Sequence, residues 1–148
     1  MTPNDRNRPS MIVRMTSRMV ARLIQIFALY VIFHGHYSPG GGFQGGAMLA
    51  AATILLRLGE GMQRSHREFP PDLALPLGAA GALAYAVAGL LSLGDGNYLQ
   101  YDAVPIAGVS SALLHQWGIL VIEIAVGVAV MSVLVCIFDR MISGGEDA

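Results

Sequence analysis

No lysine occurs anywhere in the 148 residues, and cysteine occurs once, as Cys136. A single thiol excludes a disulfide framework, a Cys-ligated iron–sulfur cluster and a Cys-based zinc site, and with them redox chemistry carried by this chain. Charge is scarce too: 13% of residues are charged and 54% apolar, and the mean hydropathy is +0.56. Soluble domains carry about 25% charged residues, so an ordinary water-soluble globule, and most enzyme classes with it, is excluded. Nine arginines against ten acids leave a formal net charge of −1, too balanced for a nucleic-acid-binding surface.

Long apolar runs fill the chain instead. A helix needs about 20 apolar residues to cross a bilayer, and transmembrane helices are expected over about 13–34, 42–58, 73–93 and 114–138. The expected fold is all-α: an integral membrane four-helix unit, a single membrane domain over 1–148 with the lipid bilayer as its solvent. The first run opens on Arg14, Arg18 and Arg22, which share one helical face and can snorkel to the headgroups. A basic start before an apolar run also describes a secretory signal. The stretch His34-Gly35-His36-Tyr37-Ser38-Pro39 lacks the small-x-small cleavage pattern, however, and three more runs follow. The second run is the shortest and needs the preceding glycines or Arg57 to complete a crossing. The third has no charge.

Arginine placement predicts the orientation. All nine lie at or before the first run, around the second connection, or after the fourth run; none falls in 34–42 or 94–112. Basic residues stay on the cytoplasmic side, so the N and C termini and the loop around Gly59–Asp72 are expected to be cytoplasmic. Tyr37, Tyr98, Tyr101 and Trp117 then fall at the outer interface, as an aromatic belt does. In the cytoplasmic loop, Glu60–Arg64 and Arg64–Glu68 pairs at i, i+4 favour a short helix, with His66 solvated beside them. Asp95 and Asp102 read as turn residues. Two stripes of small residues, Gly42, Gly46, Ala50 and Gly78, Ala82, Ala86, read as helix contact faces, either within this unit or against a larger membrane partner.

The first connection is the most distinctive segment: Gly35-His36-Tyr37-Ser38-Pro39-Gly40-Gly41-Gly42-Phe43-Gln44-Gly45-Gly46. Its G-x-G-x-x-G spacing at Gly40, Gly42 and Gly45 lacks the preceding strand that a dinucleotide site requires. A tight turn accounts for it, with Pro39 fixing φ and glycines taking conformations that a Cβ forbids. The pattern Gly35-His36-x-x-Pro39-Gly40-Gly41-Gly42-Phe43-x-Gly45-Gly46 resembles the signature of the MnhB family of Mrp-type multisubunit cation/proton antiporters. Related subunits of membrane-bound hydrogenase-type complexes share it. The likeness extends from about Val13 to Phe138, supported by span order and by Pro105-Ile106-Ala107-Gly108-Val109-Ser110. Many members of that family carry Phe-Asp-x-Gly at the start of the last helix; here His115-Gln116-Trp117-Gly118 stands in its place, and the acid falls at Glu123.

The resemblance implies a small accessory subunit with no catalytic residues and no cofactor of its own. It implies packing against larger antiporter-like membrane subunits, related to the membrane arm of respiratory complex I, in a bacterial or archaeal cytoplasmic membrane. The transported ions implied are H+ and Na+. An equivalent subunit of an ion-pumping redox complex and a purely structural adaptor are the alternatives. A self-sufficient transporter or channel formed by homo-oligomerisation is disfavoured by a single intramembrane acid and the lack of an inverted repeat.

Glu123 is the one carboxylate well inside an apolar run. A central acid costs about 2.5–3.5 kcal/mol on insertion scales, a cost met chiefly where it lines a polar path or finds a partner. Gln116, Glu123 and Gly127 share a helical stripe. Two readings stand: a proton or cation relay that also serves as a charge partner for a neighbour, and a neutral acid hydrogen-bonded within the bundle. His34 and His36 flank Gly35, and His115 sits near the same membrane face, where imidazoles can exchange protons. Their spacing fits no metal motif, and His36 is well placed to bond loop carbonyls in the glycine turn.

Overall fold

Ser10 opens the first helix: its hydroxyl accepts a hydrogen bond from the Val13 amide at 3.3 Å, satisfying a first-turn N–H that has no partner within the helix. The helix α1 (Met11–His34) follows, then α2 (Gly42–Glu60), α3 (Met62–Glu68), α4 (Pro71–Leu91) and α5 (Ser111–Glu146). This computed structural model describes residues 10–35, 40–91 and 111–146. Expectations for His36, Tyr37, Pro39, Asp95, Tyr98, Tyr101, Asp102 and 105–110 lie outside the described residues. All the described regular elements are helical, as expected.

Helix ends follow from local chemistry. Gly61, at φ 90° and ψ 152°, breaks the chain between α2 and α3. Pro71 then opens α4 at the position where a missing N–H costs nothing. Three helices are long and apolar enough to cross a membrane: Met11–His34, Pro71–Leu90 and Gln116–Gly144. The fourth long helix, α2, has 19 residues, or about 28 Å at 1.5 Å per residue. At 36 residues, α5 continues past the expected end near Phe138, because a helix outlasts its apolar run wherever nothing breaks it.

The long helices form a row, α1–α2–α5–α4, with α1 also touching α5 at one end. Among the described residues α4 packs on α5 and has no more than marginal contact with α1 or α2. Helix directions alternate. Residue numbers run oppositely where Gly45 lies on Ala28 and Ile32 and Gly59 on Ser17, and where Gly78 and Gly81 lie on α5. They climb together along α2 and α5: Gly42 lies on Glu123, Gly46 on Gly127, and Arg57 meets Asp139. The core is made of small side chains, with Ala21, Ala52 and Leu56 clustered between α1 and α2. Large apolar residues such as Met19, Leu23, Phe27 and Leu83 point outward, the reverse of a soluble bundle and consistent with close packing through small residues.

Four expectations need correction. Gly42, Gly46 and Ala50 are not matched by an equivalent stripe on α4: the first three are at least half-buried, but on α4 the buried face runs through Ala74, Gly78 and Gly81 while Ala82 is exposed. Arg18 and Arg22 do not simply snorkel. Arg18 donates two hydrogen bonds to Glu60, both at 2.7 Å, and Arg22 contacts Glu68 at 3.0 Å. Both acids thus serve α1 and not the expected partner Arg64, because the α2–α3 connection folds back onto α1. Finally, His66 is half-buried, and burial, aided by the Arg57 charge, lowers its pKa below the ordinary imidazole value.

Candidate functional site

Three glycines from two helix ends converge on one carboxyl group. Gly35 closes α1, Gly41 is the N-cap of α2, and Gly42 is its first residue. A Cβ on Gly35 would run into both carboxyl oxygens of Glu123, and one on Gly41 would stand 3.0 Å from Oε1. On Gly42 it would strike the Glu123 main chain, 2.9 Å from Cα. Gly41 has φ 149° and ψ −160°, a region that essentially only glycine occupies. The glycine run therefore does two things: it makes the turn, as its sequence indicates, and it clears a notch in which the side chain of α5 lies.

The notch sits at the N-terminal end of α2. The first N–H groups of a helix have no intrahelical acceptor, and the aligned peptide dipoles favour negative charge there. Glu123 Oε2 is shielded from solvent, so this field acts with little screening. One turn further along, a Cβ on Gly46 would stand 2.9 Å from the Gly127 Cα, which fixes how closely the two helices approach. Glu123 and Gly127 thus share the face turned to α2, as their spacing requires.

The remaining expected site residues are not all gathered here. Gln116 is exposed, two helical turns before Glu123. His34 is exposed; its ring stacks on Tyr30 with centroids 4.2 Å apart, and its Nδ1 lies 3.1 Å from the Tyr30 carbonyl. In the neutral ring Nδ1 then carries the proton and Nε2 is left as acceptor. His115 belongs to α5, with its side chain outside the description, and His36 and Pro39 are outside it altogether. Phe43 is exposed on the outer surface of α2, whereas Gly45 is buried against Ala28 and Ile32. Gly40, at φ 157°, completes the turn. Among the described residues no three His, Cys, Asp or Glu side chains group as metal ligands do.

One charged feature departs from its sequence-based reading. Arg57, which the sequence places beside a loop, is 1% exposed. It pairs with Asp139 of α5 and donates to the Phe69 carbonyl at 3.1 Å. The available signal is an acid, Asp139, directly after the last apolar run, on a side otherwise dominated by arginine.

Outward apolar side chains, membrane-length helices and a carboxyl group held between helix ends define a multi-pass membrane protein. Within that class its kinship is specific: over residues 12–136 the chain belongs to the family described as a domain related to the MnhB subunit of Na+/H+ antiporter. It is 35% identical over 133 residues to the MnhB-type protein of the Na(+)/H(+) antiporter of Alkalihalophilus pseudofirmus, covering 84% of this chain and 90% of that protein. Among solved structures it resembles a chain of the membrane-bound sulfane sulfur reductase, an archaeal respiratory membrane complex. The TM-score is 0.73 and the identity 27%, with 91% of this chain covered. This chain spans 59% of the length of that one.

Proposed function

We propose that this protein is an accessory membrane subunit of a multisubunit Na+/H+ antiporter of the Mrp type. It packs against larger antiporter-like subunits in a bacterial or archaeal cytoplasmic membrane, and Glu123 is its contribution to the ion or proton path. The observation that carries the reading is the seat of Glu123 among Gly35, Gly41 and Gly42. A group kept only for packing has no need of a notch cleared in two other helix ends, and intramembrane acids mark ion and proton pathways by default. The same chemistry suits the equivalent place in a respiratory membrane complex, which the likeness to the sulfane sulfur reductase chain favours as the second reading.

In the same reading α2 crosses the membrane with α1, α4 and α5, and both termini are cytoplasmic. The alternating helix directions and the one-sided arginines support this arrangement. A cysteine introduced at Ser143 should resist an impermeant external reagent, and one at Asn97 should react with it.

The test of Glu123 is Glu123→Gln, which keeps size and most hydrogen bonding but cannot titrate. Ion-gradient-driven pH changes in inverted vesicles, normalised to assembled complex, should fall at least about tenfold, the scale of a lost acid–base group, while assembly survives. Wild-type rates across the working pH range would remove Glu123 from the path.

A further inference from the structure

Charge sits at both ends of the α2–α5 interface. At the end away from Glu123, the Arg57 side chain is sealed from solvent and paired with Asp139, itself 8% exposed. The other charged and titratable groups around the pair come from every neighbouring element. His66 of α3 lies within reach of the Arg57 charge. Asp72 of α4 and Arg140 of α5 line, with Asp139, a cavity of about 410 Å³.

Stripping water from two charges costs several kcal/mol per ion, so a buried pair adds little net stability. Its best-attested use is to specify register. Register matters here. Between the Arg57–Asp139 pair and the Glu123 notch lie about 23 Å of helix, packed through contacts such as Gly46 on Gly127 and the buried Ala50. A backbone-to-backbone contact fixes how close two helices lie, but it has no charge with which to fix their axial offset. Ion pairing supplies that directional element, because a shift of α5 by one turn moves its carboxylate about 5.4 Å and leaves both charges buried and unpaired.

We infer that Arg57 and Asp139 are positioning residues whose pairing sets the register of α5 on α2 and thereby holds Glu123 among Gly35, Gly41 and Gly42. For its transport consequence this rests on the reading of Glu123 as the working carboxyl; its assembly consequence stands alone. In the intact complex, Arg57→Gln and Asp139→Asn each strand one buried charge, and each should lower the yield of assembled complex about tenfold or more. The exchange, Arg57→Asp combined with Asp139→Arg, should recover most of that yield. Per assembled complex, the single variants should displace the pH profile of transport, since Glu123 leaves its notch, and Asp139→Glu and the exchange should restore it. An exchanged variant that assembles no better than the worse single variant would overturn the inference. So would Asp139→Asn with normal assembly and an unmoved pH profile. If Glu123→Gln transports as the wild type does, the reading of Glu123 fails by itself, and assembly of the exchanged variant still decides the register.

Discussion

The two ends of the α2–α5 interface accommodate a buried carboxyl group in opposite ways. At one end Glu123 is accommodated by subtraction: side chains are absent at Gly35, Gly41 and Gly42, and a helix end faces the space. At the other end Asp139 is accommodated by addition, with a whole guanidinium buried to meet it. The two solutions have different consequences. A carboxylate bound to a permanent cation keeps its charge, because arginine does not release its proton in proteins. A carboxyl whose surroundings are glycine backbone and helix dipoles has no fixed counter-charge in those surroundings that compels it to stay ionised. The same pair of helices thus holds one acid suited to structure and one suited to exchange.

The largest effect that would break this comparison is Gly42→Val, since its Cβ meets main chain that cannot swing away. The expected outcome is loss of most assembled complex on native gels, from overpacking of about 1–3 kcal/mol or more. Normal assembly would show that the notch is not a packing constraint. Gly41→Ala sharpens it next. Its backbone lies in a glycine-only region and its Cβ would press on Oε1, so thermal stability should fall by about 1–3 kcal/mol, with some assembly retained.

A smaller effect concerns pH at the Arg57 end. His66 has its pKa lowered in the fold, first by burial and then by Arg57, so the fold binds fewer protons there than the unfolded chain. That contribution is complete above the ordinary imidazole range and is lost as pH falls through the lowered value. Glu60, whose pKa the Arg18 hydrogen bond lowers, behaves likewise further into acid. Melting temperature measured from pH 8 downward should drop in two stages, and His66→Gln should abolish the first. Smallest of all is Arg18→Gln: Arg18 is half exposed, so it should weaken only the more acidic stage, with little change at neutral pH.

How far the sequence reveals this arrangement depends on the range of the interaction concerned. Helices occur where the apolar runs are, because hydropathy and breakers such as Gly61 and Pro71 act locally. The apolar run stops short of the end of α5 because apolar content marks a membrane crossing, not helix termination. The contact face of α4 escapes sequence reading for a different reason. Gly78, Ala79, Ala80, Gly81, Ala82, Ala84 and Ala86 are all small, so periodicity does not choose among faces. The importance of Glu123 and of the glycine run is legible in each alone. Their meeting is not, because they lie far apart in sequence and are joined only by the parallel packing of α2 on α5. Arg57 shows the same limit, since nothing near it in the chain indicates a partner on the last helix.

The row α1–α2–α5–α4 has two broad faces and no interior. Among the described helices none is encircled by the others, and α4 leans on a single neighbour. Such a palisade works as half a pipe: it can offer one wall of a hydrated groove, with Glu123 set into that wall, but it does not close the groove. The other wall has to come from a second polypeptide. The selectivity of any passage along Glu123 is then a joint property of two chains, and it appears only when they are assembled.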